Sequence, residues 1–234
     1  MFKEVLFVVS VLLCYAPANV CIKFYVLQNT SIKIYKKQAD YITDYLNDMI
    51  DDVLVNVANA ITDDGFDPAI LPSKDISFKI GLIKVKGSLS GGQISGLGKL
   101  ARIGLTRYIT PPNTKAKISG NLMISDTNAY MTINNRRGKK LARLDAIIDP
   151  LDIKYEIETC DGCSMTLTKL DIMVGRIAVS AGIGPYGTIT IYDVASDLIK
   201  EWIAVTFKGV LATDIQNALV DKGLLTIPSI PGRR

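Results

Sequence analysis

Two thiols stand three positions apart in Cys160-Asp161-Gly162-Cys163, a spacing that suits a disulfide, thiol–disulfide exchange or metal ligation. Asp-Gly is a strong two-residue hairpin signal, so the cysteines should oppose each other across a turn, at a separation a disulfide can span. Catalytic Cys-x-x-C needs a helix N-terminus in a βαβ setting, which a hairpin lacks. A zinc site needs four ligands, and beyond Cys14 the chain has only Cys21, Cys160 and Cys163, with no histidine anywhere. The expectation is a Cys160–Cys163 staple, with Cys21 left odd. The absence of histidine also excludes Ser-His-Asp and Cys-His nucleophiles. Asp51-Asp52 and Asp63-Asp64 read as a wet helix face and a helix end, and nothing sets two carboxylates across a cleft. Gly182-Ile183-Gly184-Pro185-Tyr186-Gly187 matches G-x-G-x-x-G, but the parallel strand that a nucleotide site needs after its helix is missing. No catalytic residue, metal ligand or cofactor is therefore assigned. Only carboxylate-only or serine–lysine chemistry stays open.

Two further motifs concern surfaces. Arg136-Arg137-Gly138-Lys139-Lys140 is a basic hairpin tip. It reads as a solvated turn that keeps a sheet edge soluble, or as a contact for anionic head groups through Arg136, Arg137, Lys139 and Lys140. Asn29-Thr30-Ser31 is an N-glycosylation sequon, with Asn29 in the stretch before the first expected helix.

The elements that must position these residues show in the hydrophobic pattern. Ile42, Leu46, Met49, Val53, Val57 and Ile61 recur at helical spacing between about Gln38 and Thr62, and Asp63-Asp64-Gly65 ends that helix. Alternating stretches follow from Ile76 to Ile157. They run through Ile83, Val85 and Leu89, a turn at Gly91-Gly92, Ile94 with Ile103 and Leu105, then Leu122 and Ile124, then Met131 and Ile133. The cleanest is Leu151, Ile153, Tyr155 and Ile157, separated by Asp152, Lys154 and Glu156, which puts four apolar groups on one face. Leu170 and Ile172 are out of phase with Met165 and Leu167, which predicts a bulge. A second helix is expected over about Val194 to Lys222, with Leu198, Trp202, Val205, Leu211, Ile215 and Leu219 as its stripe. Strands in a run between two helices indicate an α+β fold with an antiparallel sheet.

The chain has 234 residues, of which 48% are hydrophobic, and a net charge of +4, too weak to argue for nucleic acid. Its one long apolar run, Val5–Leu13, broken only by Ser10, follows Lys3 and ends near Ala16-Pro17-Ala18. That pattern reads as a secretory leader cleaved after Ala18, and it is too short to span a bilayer. The expected organisation is a signal peptide over 1–18, a flexible arm over 19–37, one domain over 38–224 and a tail over 225–234. The expected localisation is extracellular, with no transmembrane segment.

Phe66-Asp67-Pro68 with Leu71-Pro72, Gly81-Leu82-Ile83-Lys84-Val85-Lys86-Gly87, Gly96-Leu97, Arg102-Ile103-Gly104 and Met165-Thr166-Leu167-Thr168 follow the first helix in an order and spacing that resemble the group 7 mite allergens. That family is similar to one half of the bactericidal/permeability-increasing and lipopolysaccharide-binding proteins. The resemblance implies a long, strongly curved antiparallel sheet wrapped around two long helices, with an apolar cavity for a lipid-like ligand. It transfers no catalytic residue and no ligand contact. Periodicity alone nominates Ile42, Leu46, Met49, Ile83, Val85, Leu122, Ile124, Met131, Ile133, Ile153, Tyr155 and Ile157 as lining, and each could equally be solid core. The function expected is a secreted carrier or sensor of a hydrophobic ligand. The alternative is a surface reader of anionic microbial or membrane lipids in innate defence.

Overall fold

The computed structural model describes the backbone of residues 18–80, 83–110, 115–160, 162–181 and 188–226, and side-chain surroundings from Asp40 onward except over 78–85 and 188–190. The chain divides into two compact units, Met1–Asp44 with Pro228–Arg234, and Tyr45–Ile227. Of the first, the described part is the opening stretch of helix α1 (Ala18–Asp63). The leader expected over 1–18 lies outside the described residues except for Ala18.

Helix α1 starts twenty residues earlier than the pattern suggested, so the stretch 19–37, expected as an arm, is helical. The reason is visible in retrospect: no proline or glycine occurs between Pro17 and Gly65 to stop it. Asn29 and Cys21 therefore lie on helical backbone, and their side chains are outside the described residues. At the other end Gly65, with φ of 74°, takes the left-handed cap. Its N–H donates to the Thr62 carbonyl at 3.1 Å, and that of Phe66 to Ile61 at 2.8 Å.

Ten strands follow among the described residues: β1 (Ala69–Leu71), β2 (Lys74–Ile80), β3 (Ile83–Ser95), β4 (Leu100–Ile109), β5 (Ala116–Ile124), β6 (Thr127–Asn135), β7 (Lys140–Ile148), β8 (Leu151–Thr159), β9 (Thr166–Val174) and β10 (Ile177–Ala181). All their pairings are antiparallel. They form two hydrogen-bonded sheets rather than the single one expected. One has six strands, ordered β1-β3-β6-β7-β10 with β2 also on β3; the other has four, ordered β4-β5-β8-β9. Gly91-Gly92 does not turn the chain. Strand β3 runs through it with a register shift between Ser90 and Gln93, and Gly91 takes a φ of 58°. The reversal comes instead at Gly96–Lys99, where the Asp67 carboxylate accepts the N–H groups of Gly96 and Gly98, each at 2.8 Å. The bulge predicted near Leu170 is present, as a shift between Glu156 and Ile157 on β8 opposite β9.

The C-terminal helix begins at Thr188 and has three parts: α2 (Thr188–Trp202), a π turn (Ile203–Phe207) and α3 (Lys208–Asp221). Val205, placed on the apolar stripe by a regular 3.6-residue count, is 70% exposed. Ile203 and Phe207 are buried instead, and the Phe207 ring stacks on Trp202 with centroids 6.2 Å apart. Those two rings stand five positions apart, one more than the spacing that a regular helix places on the same face. Helix α2 packs against β10 and β2, and α3 against β9.

Candidate ligand-binding site

From Tyr45 onward the buried side of α1 carries Leu46, Met49, Ile50, Val53, Leu54, Val57 and Ile61, while Asp48, Asp51 and Asp52 stay exposed. Strand β8 alternates as its sequence required: Leu151, Ile153, Tyr155 and Ile157 are buried between exposed or half-buried polar neighbours. Opposite residues in an antiparallel pair share a face. Leu122 thus stands beside Ile153, Ile124 beside Leu151, and Ile118 beside Ile157, all buried. In the six-stranded sheet Met131 opposes Leu144, and Ile133 lies opposite both Leu89 and Ala142. Of the nominated lining residues, Leu46, Met49, Leu122, Ile124, Met131, Ile133, Ile153, Tyr155 and Ile157 are buried, and Ile42 is half-buried. Ile83 and Val85 lie on β3, paired with Ile80 and Phe78, and their side chains are outside the described residues.

One seam of this interior is polar. Tyr155 opposes Gly120, and a methyl group there would lie 2.6 Å from the Tyr155 hydroxyl, so the glycine is the space the ring occupies. The Tyr155 hydroxyl lies 3.4 Å from Thr106 Oγ1, and the Thr106 N–H donates to Asn47 Oδ1 at 2.9 Å. Burial pushes the Tyr155 phenol above its usual range, against the opposing pull of Thr106 and Arg102. One helical turn beyond Asn47, Asp51 receives a fork from Arg102: Nε to Oδ1 at 2.8 Å and Nη2 to Oδ2 at 2.7 Å. Arg102 Nη1 also donates to the Gly104 carbonyl. The Asp51 hydrogen bond raises the pKa of the Arg102 guanidinium. Beside this pair runs an open groove of about 410 Å3 between α1 and β4, with Leu54, Val55 and Ala58 on one side and Leu100 and Ala101 on the other.

Strand β4 departs from the expected phase to make this seam. Gly104 takes a φ of 71° and the register shifts between Ile103 and Arg107, so Thr106 turns inward while Ile103 and Leu105 face out, Leu105 at 69% exposure. Sequence reasoning did not nominate Asn47, Asp51, Arg102 or Thr106. A signal was present for the first two: polar residues four apart on a helix share a face, and they stand beside an apolar stripe.

The cysteine pair forms its disulfide, with Cα atoms 5.0 Å apart and Gly162 at a φ of 71° in the turn. The loop also holds the segment that follows α3. Gly162 N–H donates to the Leu225 carbonyl at 2.8 Å, and Leu225 N–H donates to Cys163 at 2.9 Å. Gln216 on α3 accepts from Leu167 N–H at 2.8 Å and donates to the Met165 carbonyl at 3.3 Å. At the basic tip, Asn135 Oδ1 accepts the N–H groups of Arg137 and Lys139 at 2.9 and 3.0 Å. Arg136, Arg137, Lys139 and Lys140 are exposed there, and none has an acidic partner within ion-pair distance among the described residues. Among the described residues no metal-ligating cluster occurs, and no helix is long and apolar enough to cross a membrane.

No family model and no curated protein matches the chain. Among solved structures, Takeout 1 of Epiphyas postvittana is similar with a TM-score of 0.39 at 11% identity, over 78% of this chain and 93% of that one. Lipopolysaccharide binding protein is similar with a TM-score of 0.51 at 12% identity, over 77% of this chain and 38% of that one. The chain therefore spans well under two thirds of that protein's length, and the likeness is one of fold: antiparallel strands combined with long helices in an α+β arrangement.

Proposed function

We propose that this chain is a secreted, group 7 mite allergen-like binding protein for a hydrophobic or lipid-like ligand, held against the buried apolar faces of its sheets and α1. The observation that carries the reading is the alternation of β5, β6 and β8. It commits Leu122, Ile124, Met131, Ile133, Ile153 and Ile157 to buried faces in a fold similar to that of lipopolysaccharide binding protein. The mechanism is removal of apolar ligand surface from water, at about 25 cal/mol per Å2. Burying roughly 300 Å2 would contribute about 7 kcal/mol before the entropic costs of association.

The test is native mass spectrometry of the protein recovered from a secreting host, followed by organic extraction. The expected result is a stoichiometric lipid, lost when Ile153 is replaced by Trp or Met131 by Asp in a protein that retains its far-UV spectrum. Recovery of empty protein that takes up no lipid on incubation would count against the carrier.

The exposed, unpaired basic tip supports a second reading, contact with anionic lipid surfaces. Four basic groups near such a surface contribute up to about 4 kcal/mol at low salt. Replacing Arg136, Arg137, Lys139 and Lys140 by Ala should then weaken binding to phosphatidylserine vesicles at least tenfold, and raised salt should do the same. Binding indifferent to both changes removes this reading and leaves the carrier untouched.

A further inference from the structure

The groove between α1 and β4 differs from the rest of the apolar surface. Its walls are mainly aliphatic, from Leu54, Val55 and Ala58 on the helix and Leu100 and Ala101 on the strand, with Asn59 as a polar member. Asp51 and Arg102 also line it, as a fully formed ion pair in which Arg102 gives both fork hydrogens to Asp51. Small-molecule sites have this composition, an apolar trench with a few convergent polar groups, and a volume of about 410 Å3 is within their usual range.

The polar end pairs one guanidinium with one carboxylate at contact, and a second carboxylate, Asp48, acts on Arg102 as well. The Arg102 side chain is 18% exposed and that of Asp51 49%, so Asp51 is the more solvent-accessible partner of the pair. The fork and the Gly104 carbonyl use three of the five N–H donors of Arg102, leaving two. A ligand carboxylate reaching those donors would sit beside Asp51, and two like charges at that range cannot both stay ionised without penalty. A hydroxyl meets no such penalty. It donates to Asp51 and accepts from Arg102.

We infer that the α1–β4 groove is a subsite for the head of an amphiphile, and that the Asp51–Arg102 pair selects a neutral hydroxyl-bearing head over a carboxylate. The inference rests on the carrier reading and adds to it the chemical class of the ligand: an aliphatic body ending in an uncharged hydrogen-bonding group. Asn47, Thr106 and Tyr155 continue the polar seam on the inner side of Arg102. The bulge at Gly104 serves the same end, because it turns Thr106 inward and supplies the carbonyl that orients the guanidinium.

The experiment is displacement of N-phenyl-1-naphthylamine from the full chain by 1-dodecanol and by dodecanoate. Wild type, Asp51→Asn and Val55→Trp are compared. Val55 lines the groove from α1 and is 61% exposed, so the Trp variant fills the groove without entering the core. Expected for wild type is at least a tenfold preference for the alcohol. Asp51→Asn removes the carboxylate in contact with Arg102, leaving only the weaker influence of Asp48, and should move that preference at least tenfold toward dodecanoate. Val55→Trp should weaken both ligands about tenfold. A structural role of the pair would lower the unfolding midpoint without changing the alcohol-to-carboxylate ratio. If both ligands bind and neither variant alters the ratio or the affinity, the inference is wrong and the carrier stands. If the probe and both lipids fail to bind wild type, the carrier falls and takes the inference with it.

Discussion

Asp214 on α3 is a residue whose chemistry opposes its position. It is 7% exposed, its Oδ2 meets no protein donor, and desolvation first and Asp64 second push its carboxyl above the usual range. The native state therefore holds the proton more tightly than the unfolded chain. Stability contributed this way is present below the ordinary carboxylate pKa of about 4 and is lost as pH rises through the raised native value. Asp214→Asn should raise the thermal midpoint at pH 7 by about 2–4 °C, the equivalent of about 1 kcal/mol at this size, and remove the loss of stability that Asp214 causes as pH rises above about 4. A calorimetric scan of both proteins from pH 4 to 8 checks it. Gly120 makes the complementary case. Alanine there would meet the Tyr155 ring and hydroxyl at 2.6–2.9 Å, so Gly120→Ala should cost about 1–3 kcal/mol in urea unfolding, and Tyr155→Leu on the same background should recover part of that. Neither residue was legible in the sequence. Gly120 sits in an alternating strand with no mark of its cross-strand partner, and Asp214 looks like an ordinary helix-surface acid until the packing of α3 is known.

Elements were legible where one face alone decided their pattern. Strands β5, β6 and β8 alternate because one side is buried and the other wet, and the structure follows the sequence residue by residue. Strand β4 was misread because it lies at the edge of its sheet, where aliphatic side chains can face out and a bulge can reset the phase. The double glycine in β3 was misread for a related reason: a left-handed residue serves a bulge as well as a turn. The Cys160–Cys163 disulfide was read correctly, but the loop it staples is longer than a two-residue hairpin, since the last strand pair before it is Glu158–Thr166, and its contact with Leu225 was not read, since nothing local links positions sixty apart. Closing a loop of four residues stabilises by about 2 kcal/mol in the chain-entropy picture. A Cys160→Ser/Cys163→Ser double variant should lose about that much. It should also show faster hydrogen exchange at Gly162 and Leu225, whose amides the stapled loop holds in place, while the amides of β8 change little.

For the whole molecule, the sequence carried the class of fold and the order helix, strands, helix. It did not carry the division into two sheets, because the pairing of β4 with β5 rather than with β3 is a choice between edges that local pattern cannot express. The C-terminal helix shows how far a single position can matter at this scale. Removing one residue from Ile203–Phe207, for instance Ala204, would let the backbone close into uninterrupted α-helix, a gain by local criteria. Each residue turns a helix by about 100°, so everything downstream would swing by that amount relative to α2. Leu211, Ile215 and Leu219 would rotate off β9 into solvent, and Gln216 would lose its backbone partners at Met165 and Leu167. This segment should therefore tolerate point substitution at Val205 and reject deletion, so natural length variation in such chains should concentrate in their turns and not in this helix.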